Sequence, residues 1–427
     1  PVRSMVWSPS FEATSADSQQ ASVGPIVFIV LDELPLTALL DASGDIDRAR
    51  FPGFAELADS ATWFPHATTV SVSTTRALPA FLTGRMPDPG NPSLARWQQH
   101  PNNLFTWSGT VLRTPVVGIE SITQLCPDSI CKQDQPSRLR KSLILGQDIA
   151  VLLGYVLLPS ALAQSWLPEI DNRWSDFLEG PIFRLGGTPA SSSEEAQNEG
   201  VIARFRDSVG NDRGRVWQQF TERIDLGFNF LHLLLPHDPY TYLQDGTRYE
   251  GSSQGLDEKR WRVQTLNVLE YQRMLAQLRY TDKLLAEMID TLKQKTLWTS
   301  TLLVIASDHG KSFRLNSHKR KLQADALGDL LRIPLFIKRP SQSEAEVDEY
   351  PARITDIAPT IADLIGVSLS WKSDGTSLFA RDRPARPYLP VSCIDSTCDN
   401  SMAVSEETSS IRVTLDQVLE TKSLDWK

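Results

Sequence analysis

The chain has 427 residues, of which 41% are hydrophobic and 22% are charged, and this composition excludes a disordered protein and allows a large buried core. Its net charge of -9 at pH 7 argues against a general nucleic-acid binder, because such a protein needs a basic surface to neutralise phosphates, and leaves room for a local basic pocket. We therefore expect a globular protein with no nucleic-acid partner.

The N-terminal stretch is polar and rich in Ser, Ala and Gln, and we interpret residues 1–24 as a linker. The chain begins at Pro1, with neither an initiator methionine nor an apolar leader. We expect the linker to follow an export signal or a membrane anchor that has been removed.

Three apolar runs are predicted to form buried strands. The first, PIVFIVLDELP, is unbroken from Ile26 to Leu31, which is typical of a strand covered on both faces. The others are GFNFLHLLLPHDPY at 227–240 and TLLVIASDHG at 301–310, and residues 262–296 between them have helical periodicity. Strands that alternate with helices predict an α/β fold with a large, mostly parallel sheet flanked by helices.

Polar side chains follow each of these runs: Asp32 and Glu33 after the first, His237 after the second, and Asp308 and His309 after the third. Each cluster alone also fits a turn or a helix cap. Chemistry in open α/β sheets collects beyond the carboxyl ends of the strands, so together the clusters predict a shared site. Carboxylate oxygens and an imidazole nitrogen suit Zn, Mn, Mg or Ca. We expect one divalent metal ion on Asp32, Asp308 and His309, with Glu33 as a candidate further ligand.

The stretch STTRALPAFLTGR at 73–85 places two threonines, Thr74 and Thr75, and then Arg76 at the head of an apolar helix. A hydroxyl at this position either caps the helix or acts as a nucleophile on a bound anion. An anion is favoured there because the N–H groups and the dipole at a helix N-terminus attract negative charge.

The four cysteines form two pairs of identical spacing: Cys126 and Cys131 in CPDSIC, and Cys393 and Cys398 in CIDSTC. The spacing does not resemble a zinc ribbon, and no histidine is close to either pair in the sequence. We expect two local disulfides in an exported protein, with free thiols or pairing between the two stretches as alternatives.

The segment IAVLLGYVLLPSALAQSWLP runs from Ile149 to Pro168, and its uninterrupted apolar core ends at Leu158. That core is too short to span a bilayer. The segment is interpreted either as a buried helix or as a helix on the membrane interface, where Tyr155 and Trp166 would suit the headgroup level.

The motifs occur in a distinctive order along the chain: strand–LDE, a hydroxyl residue before RALPAFLTGR, LPHDPY, strand–SDHG, LRIPLFIKRP, ITDIAPTIADLIGV and DGTSLF. In this order the chain resembles the sulfatase-like branch of the alkaline phosphatase superfamily, specifically its membrane-anchored bacterial members of the phosphoethanolamine- or phosphoglycerol-transferase type. The resemblance covers residues 25–380 and implies an alkaline-phosphatase-like sandwich as the catalytic domain, with a helical insertion at about 140–225. Residues 381–427 would then be a C-terminal extension with the second cysteine pair.

The resemblance selects Thr74 as the nucleophile. In sulfatases Leu-Thr-Gly-Arg begins eight residues after the nucleophile, and in phosphoethanolamine transferases a proline follows the nucleophilic threonine by five residues; counting back from Leu82 and from Pro79 gives Thr74 in both cases. Thr74 is also implied as a metal ligand, and His237 as the group that protonates the leaving alkoxide or contacts the phosphate. Threonine cannot become the formylglycine of sulfatases, so phosphoester chemistry is favoured.

The resemblance implies an exported, metal-dependent phosphotransferase or phosphodiesterase. It would be membrane-anchored, with its catalytic domain in the periplasm or on the outer face, and would act on a phospholipid or an envelope glycan. The alternatives are a sulfatase and a catalytically degenerate domain that binds envelope polymers.

Arg76, His318 and Lys319 are the expected substrate-binding residues, and for the last two a solvated basic loop is the alternative. Two departures weaken the transfer of substrate contacts from the family. Sulfatases carry their arginine at the position of Leu78, and KSFRLNSHKRKL replaces the Glu-Ser-Leu-Gly that follows DHG in the transferases.

Overall fold

The computed structural model describes residues 24–88, 95–131, 212–249, 262–317, 319–392 and 410–420, together with Leu153, Leu157 and Pro159. The strands of these residues are β1 (Pro25–Asp32), β2 (Thr62–Trp63), β3 (Val116–Ile119), β4 (Gly227–Pro236), β5 (Leu302–Ser307), β6 (Leu335–Lys338), β7 (Glu346–Val347), β8 (Leu389–Ser392) and β9 (Ser410–Val413). The α-helices are α1 (Leu36–Leu39), α2 (Pro52–Ala58), α3 (Thr74–Thr83), α4 (Leu104–Trp107), α5 (Arg213–Arg223), α6 (Gln264–Gln294), α7 (Leu327–Leu331), α8 (Ile357–Ile365) and α9 (Leu415–Leu419).

Seven strands form one sheet in the order β3-β4-β1-β5-β6-β2-β7, and β8 pairs with β9 separately. The three predicted strands are neighbours at its centre, where β1 pairs in parallel with β4 on one side and with β5 on the other. β6 is antiparallel to β5, and β2 is antiparallel to β6. The predicted α/β fold with a mostly parallel sheet flanked by helices is confirmed.

The apolar run of β1 is continuous because both of its faces are buried, as expected for a central parallel strand. Alternate side chains enter two different cores: Val27, Ile29 and Leu31 point to one, whereas Phe28 and Val30 point to the other. Helices α2, α5 and α6 cover the first face, and α3, α4 and α8 cover the second. This three-layer packing places the carboxyl ends of β4, β1 and β5 beside the N-terminus of α3.

The structure tests one of the two expected disulfides. Cys126 and Cys131 form the expected local bond. Cys393 and Cys398, the expected second pair, both lie outside the described residues, which end at 392 and resume at 410. The bond between Cys393 and Cys398 therefore stays a prediction, and non-reducing peptide mapping checks it: recovery of the two cysteines in one linked peptide is expected, and free thiols would contradict it.

Three other segments with predictions also lie mostly outside the described residues. These segments are the linker at 1–24 apart from Gly24, the insertion at 140–225 up to residue 211, and the segment 149–168, of which only Leu153, Leu157 and Pro159 are described. Within the described residues, no helix combines the length and the apolar content that crossing a membrane requires.

Asp282 on α6 accepts hydrogen bonds from the backbone N–H groups of Gly53 and Phe54 and so ties α6 to the first turn of α2. Burial raises the pKa of Asp282 to about 6, although these two hydrogen bonds oppose the shift. The folded state therefore binds this proton more tightly than the unfolded chain, whose Asp pKa is about 3.9. It follows that the contribution of Asp282 to stability falls as the pH rises from about 4 to about 6.

We expect Asp282→Asn to lose this pH dependence, because the amide does not titrate. The measurement is urea unfolding of both proteins at several pH values. The wild type should lose free energy of unfolding relative to the variant as the pH rises from about 4 to about 6, and this difference should stay constant above about pH 7. Parallel curves for the two proteins across the window would contradict the assignment.

Candidate metal centre and active site

The structure brings Asp32, Asp308 and His309 together at the carboxyl ends of β1 and β5, and we call these three residues the metal triad. Asp32 is the last residue of β1, and Asp308 follows β5, held by a hydrogen bond from its backbone N–H to the Leu31 carbonyl. One ligand atom from each member lies within 4.8 Å of the others, and all three side chains are buried. The sequence predicts that these three side chains lie together, and their binding of a metal ion stays a prediction.

The glycine of SDHG is required by close packing. A Cβ on Gly310 would lie 1.9 Å from the carbonyl oxygen of Asp329, so only glycine lets the chain pass α7 at this point. The backbone turn that follows also orients His309, whose Nδ1 lies 2.9 Å from the Gly310 carbonyl. Because a carbonyl only accepts, Nδ1 carries the proton and Nε2 presents its lone pair. That lone pair faces the triad, with Asp308 Oδ2 3.4 Å away.

The buried carboxylates of the triad are suited to binding a cation. Both carboxylate oxygens of Asp32 and Oδ2 of Asp308 are buried without a hydrogen-bond partner among the described residues. Burial would raise the pKa of Asp32, but His237, His232 and His309 outweigh this effect and lower it. Burial and the neighbouring Asp32 charge instead raise the pKa of Asp308. Two buried carboxylates and an imidazole lone pair that converge in this way satisfy the donor set of a divalent metal ion.

Thr74 is the threonine that faces the triad. Its side chain is buried, and its Oγ1 lies 3.4 Å from His309 Nε2. Thr75 is half-buried, and its hydroxyl lies 3.1 Å from the Ser73 hydroxyl instead. Ser73 is the N-cap of α3 and makes no side-chain capping hydrogen bond, so neither threonine occupies the cap position. The capping interpretation of Thr74 is therefore wrong: Thr74 is the first residue of α3, with its hydroxyl aimed at the triad.

A second group of charged side chains, here called the charged cluster, lies beside the triad: Glu33, His237, Asp238, Glu270, Lys311, Lys319 and Arg320. Glu33 has a left-handed backbone, with φ of 57°. Its Oε1 accepts from Arg320 Nε at 2.6 Å, and its Oε2 lies 3.4 Å from Lys311 Nζ. The carboxylate of Glu33, a candidate metal ligand by sequence, thus takes part in ion pairs of the charged cluster rather than in the triad.

Within the charged cluster, His237 is influenced by carboxylates of both the cluster and the triad. Burial would lower its pKa, but the carboxylates of Glu33 and Asp32 raise it to about 9 and favour the imidazolium. Arg320 has the opposite effect: its Nη2 lies 2.8 Å from His237 Nε2, and a guanidinium only donates, so this contact requires an unprotonated Nε2. His237 therefore carries a second proton only when Arg320 moves off Nε2.

Of the expected substrate-binding residues, Lys319 belongs to the charged cluster, where its Nζ lies 3.0 Å from Glu270 Oε1. Arg76 is buried on α3 and lowers the pKa of His100, an effect second to that of burial. His318 lies outside the described residues. Lys311, Arg320 and Glu270 did not emerge from the sequence; the signal for the first two was the run of basic residues after SDHG.

Arg213 supports the loop that carries His237. This arginine is 1% exposed, and its guanidinium donates to the carbonyls of Leu234, His237 and Pro239. Gln277 on α6 donates to the His237 carbonyl as well, at 2.8 Å. The loop that follows β4 is therefore held by side chains that bind its backbone.

We expect Arg213→Met to destabilise the fold by about 3 kcal/mol or more, because buried carbonyls lose their donors and each costs about 1–3 kcal/mol. Arg213→Lys should lie between the wild type and this variant, since an ammonium lacks the planar fork of donors. Urea unfolding measures the effect. A loss below about 1 kcal/mol for Arg213→Met would show that the loop does not depend on these bonds.

Comparison with known proteins finds likeness to sulfatases and to related enzymes. The sequence model described as Sulfatase matches residues 227–367. Lipoteichoic acid synthase of Staphylococcus aureus is 29% identical over 161 residues, which cover 36% of this chain and 23% of that protein. The matched region thus spans about a quarter of the length of that curated relative.

Solved structures share the fold. The phosphonate monoester hydrolase from Silicibacter pomeroyi superposes with a TM-score of 0.52 at 18% identity, over 86% of this chain and 79% of that one. A 2-O GAG sulfatase superposes with a TM-score of 0.55 at 14% identity, over 86% of this chain and 77% of that one. At these identities the likeness establishes the architecture, which is that of sulfatases and phosphonate monoester hydrolases.

Proposed function

Because this chain is a sulfatase-like protein of the alkaline phosphatase superfamily, we propose that it is a metal-dependent phosphotransferase or phosphodiesterase with Thr74 as its nucleophile. Its substrate is a phosphoester of an envelope lipid or glycan. The protein is anchored in the membrane and its catalytic domain lies outside the cytoplasm. The Cys126–Cys131 disulfide supports this location, because such bonds persist in oxidising compartments.

The observation that carries the proposal is the position of the Thr74 hydroxyl. It stands at the N-terminus of α3, 3.4 Å from the unprotonated nitrogen of His309. An anionic ester placed there is favoured by the helix dipole and by N–H groups of the first turn. Asp32, Asp308, His309 and Thr74 would hold the metal ion, whose positive charge lowers the pKa of a bound hydroxyl and offsets charge on the phosphoryl oxygens.

The protein's own residues account for the transfer. The Thr74 hydroxyl gives its proton to bulk water, its Oγ forms a bond to phosphorus, and the bond from phosphorus to the leaving alcohol oxygen breaks. His237 gives that oxygen a proton from its imidazolium form, once Arg320 has moved from Nε2 to the substrate phosphate. A second alcohol or water then attacks the phosphothreonine and returns a proton to His237, and the bond from phosphorus to Thr74 Oγ breaks to free Thr74 as the deprotonated oxygen that begins the next cycle.

The proposal is tested by incubating the protein with head-group-labelled phospholipids and candidate glycan acceptors. The products are then identified. Release of a diacylglycerol from a phospholipid is expected, together with labelled glycan after transfer or labelled head-group phosphate after hydrolysis. The same incubation distinguishes transfer from hydrolysis. Absence of any phosphoester turnover with metal-loaded protein would contradict the proposal.

Sulfate-ester hydrolysis is the second candidate, favoured by the match of residues 227–367 to the Sulfatase family. Threonine has a methyl group on Cβ and cannot be oxidised to the aldehyde that sulfatases use. Turnover of an aryl sulfate that exceeds the turnover of phosphodiesters would favour this candidate, and intact-peptide mass spectrometry of Thr74 shows whether the side chain is modified.

A further inference from the structure

A buried row of side chains crosses three neighbouring strands beneath the metal triad. Ser121 follows the end of β3, His232 lies within β4, and Asp32 ends β1. The Ser121 hydroxyl lies 2.6 Å from His232 Nδ1, and His232 Nε2 lies 3.5 Å from Asp32 Oδ2. The imidazole is fully buried, and both other side chains are at least nine-tenths buried.

The strand register explains why these groups meet. His232 pairs with Val30 across the parallel ladder, and Val30 and Asp32 point to the same face because they are two residues apart. The register then shifts between Leu31 and Asp32, so that Asp32 is opposite Pro236. Asp32 is therefore displaced along β4 from the register of His232, and its Oδ2 lies 3.5 Å from the imidazole Nε2.

The partners fix the tautomer of His232. A carboxylate only accepts, so the nitrogen that faces Asp32 carries the proton and Nδ1 accepts from the Ser121 hydroxyl. Nε2 has no hydrogen-bond partner within the described residues and is aimed at Asp32, at the limit of hydrogen-bond distance. A polar ring fully buried in the run FLHLLLP is costly for folding alone, since leucine would fill the same space.

We propose that Ser121 and His232 are positioning residues of the metal centre, which orient the Asp32 carboxylate for metal binding. This inference rests on the proposed metal-dependent function. Outer partners of this kind hold a ligand in its binding orientation, and their loss costs about 10- to 100-fold in metal affinity. Neither residue touches the reacting phosphoester.

Titration of the metal-free protein with Mn²⁺, followed by calorimetry, tests the inference without an activity assay. We expect His232→Leu to bind the ion about 10- to 100-fold more weakly than the wild type, and Ser121→Ala to shift affinity in the same direction. Ser108→Ala is the matched control, because Ser108 is buried as well but its hydroxyl has no hydrogen-bond partner in the described part of the chain. Its affinity should not change.

Two amide replacements of His232 separate its positioning of Asp32 from its packing in the core. His232→Gln places an amide N–H near the position of Nε2 and should retain most of the affinity, whereas His232→Asn stops near Nδ1 and should not. Wild-type affinity in folded His232→Leu and His232→Asn would overturn the inference. A wild type that binds no divalent ion would instead contradict the proposed function on which the inference rests.

Discussion

Replacing Thr74 with alanine is expected to abolish phosphoester turnover while the protein remains folded. The change removes the nucleophilic oxygen, so both the covalent route and the aligned attack are lost, at a cost on the order of 10³-fold or more in rate. Most of the metal affinity should remain, because Asp32, Asp308 and His309 are unaffected. Single-turnover kinetics and a metal titration measure the two effects separately.

Two neighbouring variants control this result. Thr75→Ala should be mild, because the Thr75 hydroxyl faces Ser73 rather than the triad. Thr74→Ser should keep part of the activity, and a phosphoryl adduct should be trapped on Thr74 in the wild type. Loss of activity in Thr75→Ala with retention in Thr74→Ala would place the nucleophile one residue later. Retention in both variants would exclude a covalent threonine intermediate.

The second large effect is expected from Asp308→Asn, which should remove metal binding and activity together. Asp308 Oδ1 accepts from the N–H groups of Glu33 and His309, at 3.1 and 2.7 Å, so the amide oxygen of the variant should keep that role. The amide nitrogen would then occupy the position of Oδ2 and present hydrogens to the cation. The metal-free variant should be no less stable than the wild type, because a like-charged neighbour of Asp32 has gone.

Thermal or urea unfolding with and without divalent ion measures the second effect. At a free metal concentration of about 100 times Kd the wild type should gain about 2.7 kcal/mol, and Asp308→Asn should gain none. Asp282→Asn is a matched control, because it removes another buried carboxylate that lies outside the triad. Equal metal-induced stabilisation of Asp308→Asn and the wild type would exclude Asp308 as a ligand.

The centre of the fold could be predicted because it depends on local sequence. Continuous apolar runs identify β1, β4 and β5, and parallel strands carry their following residues to one edge, so the grouping of Asp32, Asp308 and His309 could be predicted. The antiparallel β6 and the two-residue strands β2 and β7 were not predicted, since so short a pattern is not distinguishable from a loop.

The surroundings of the site could not be predicted for a different reason. The partner of His232 is Ser121, 111 residues earlier, and their contact depends on the strand order and on the register shift at Asp32. Adjacency in sequence does not group Glu33 with Asp32, because the Glu33 carboxylate contacts Arg320, whereas Asp32 lies with Asp308 in the triad. Such contacts are decided by tertiary packing rather than by spacing.

The central strand β1 also constrains when the protein can complete its fold. Its hydrogen-bonded neighbours β4 and β5 begin about two hundred and about two hundred and eighty residues later in the chain. Pairing over such distances is slow, because the entropy of closing long loops is lost before any contact is gained. During N-to-C synthesis, β1 therefore emerges long before either neighbour exists, and an intermediate with its two apolar faces uncovered is prone to aggregation. We expect the cation to bind only after β5 has been inserted, so a chain truncated before residue 302 should neither bind the ion nor remain soluble.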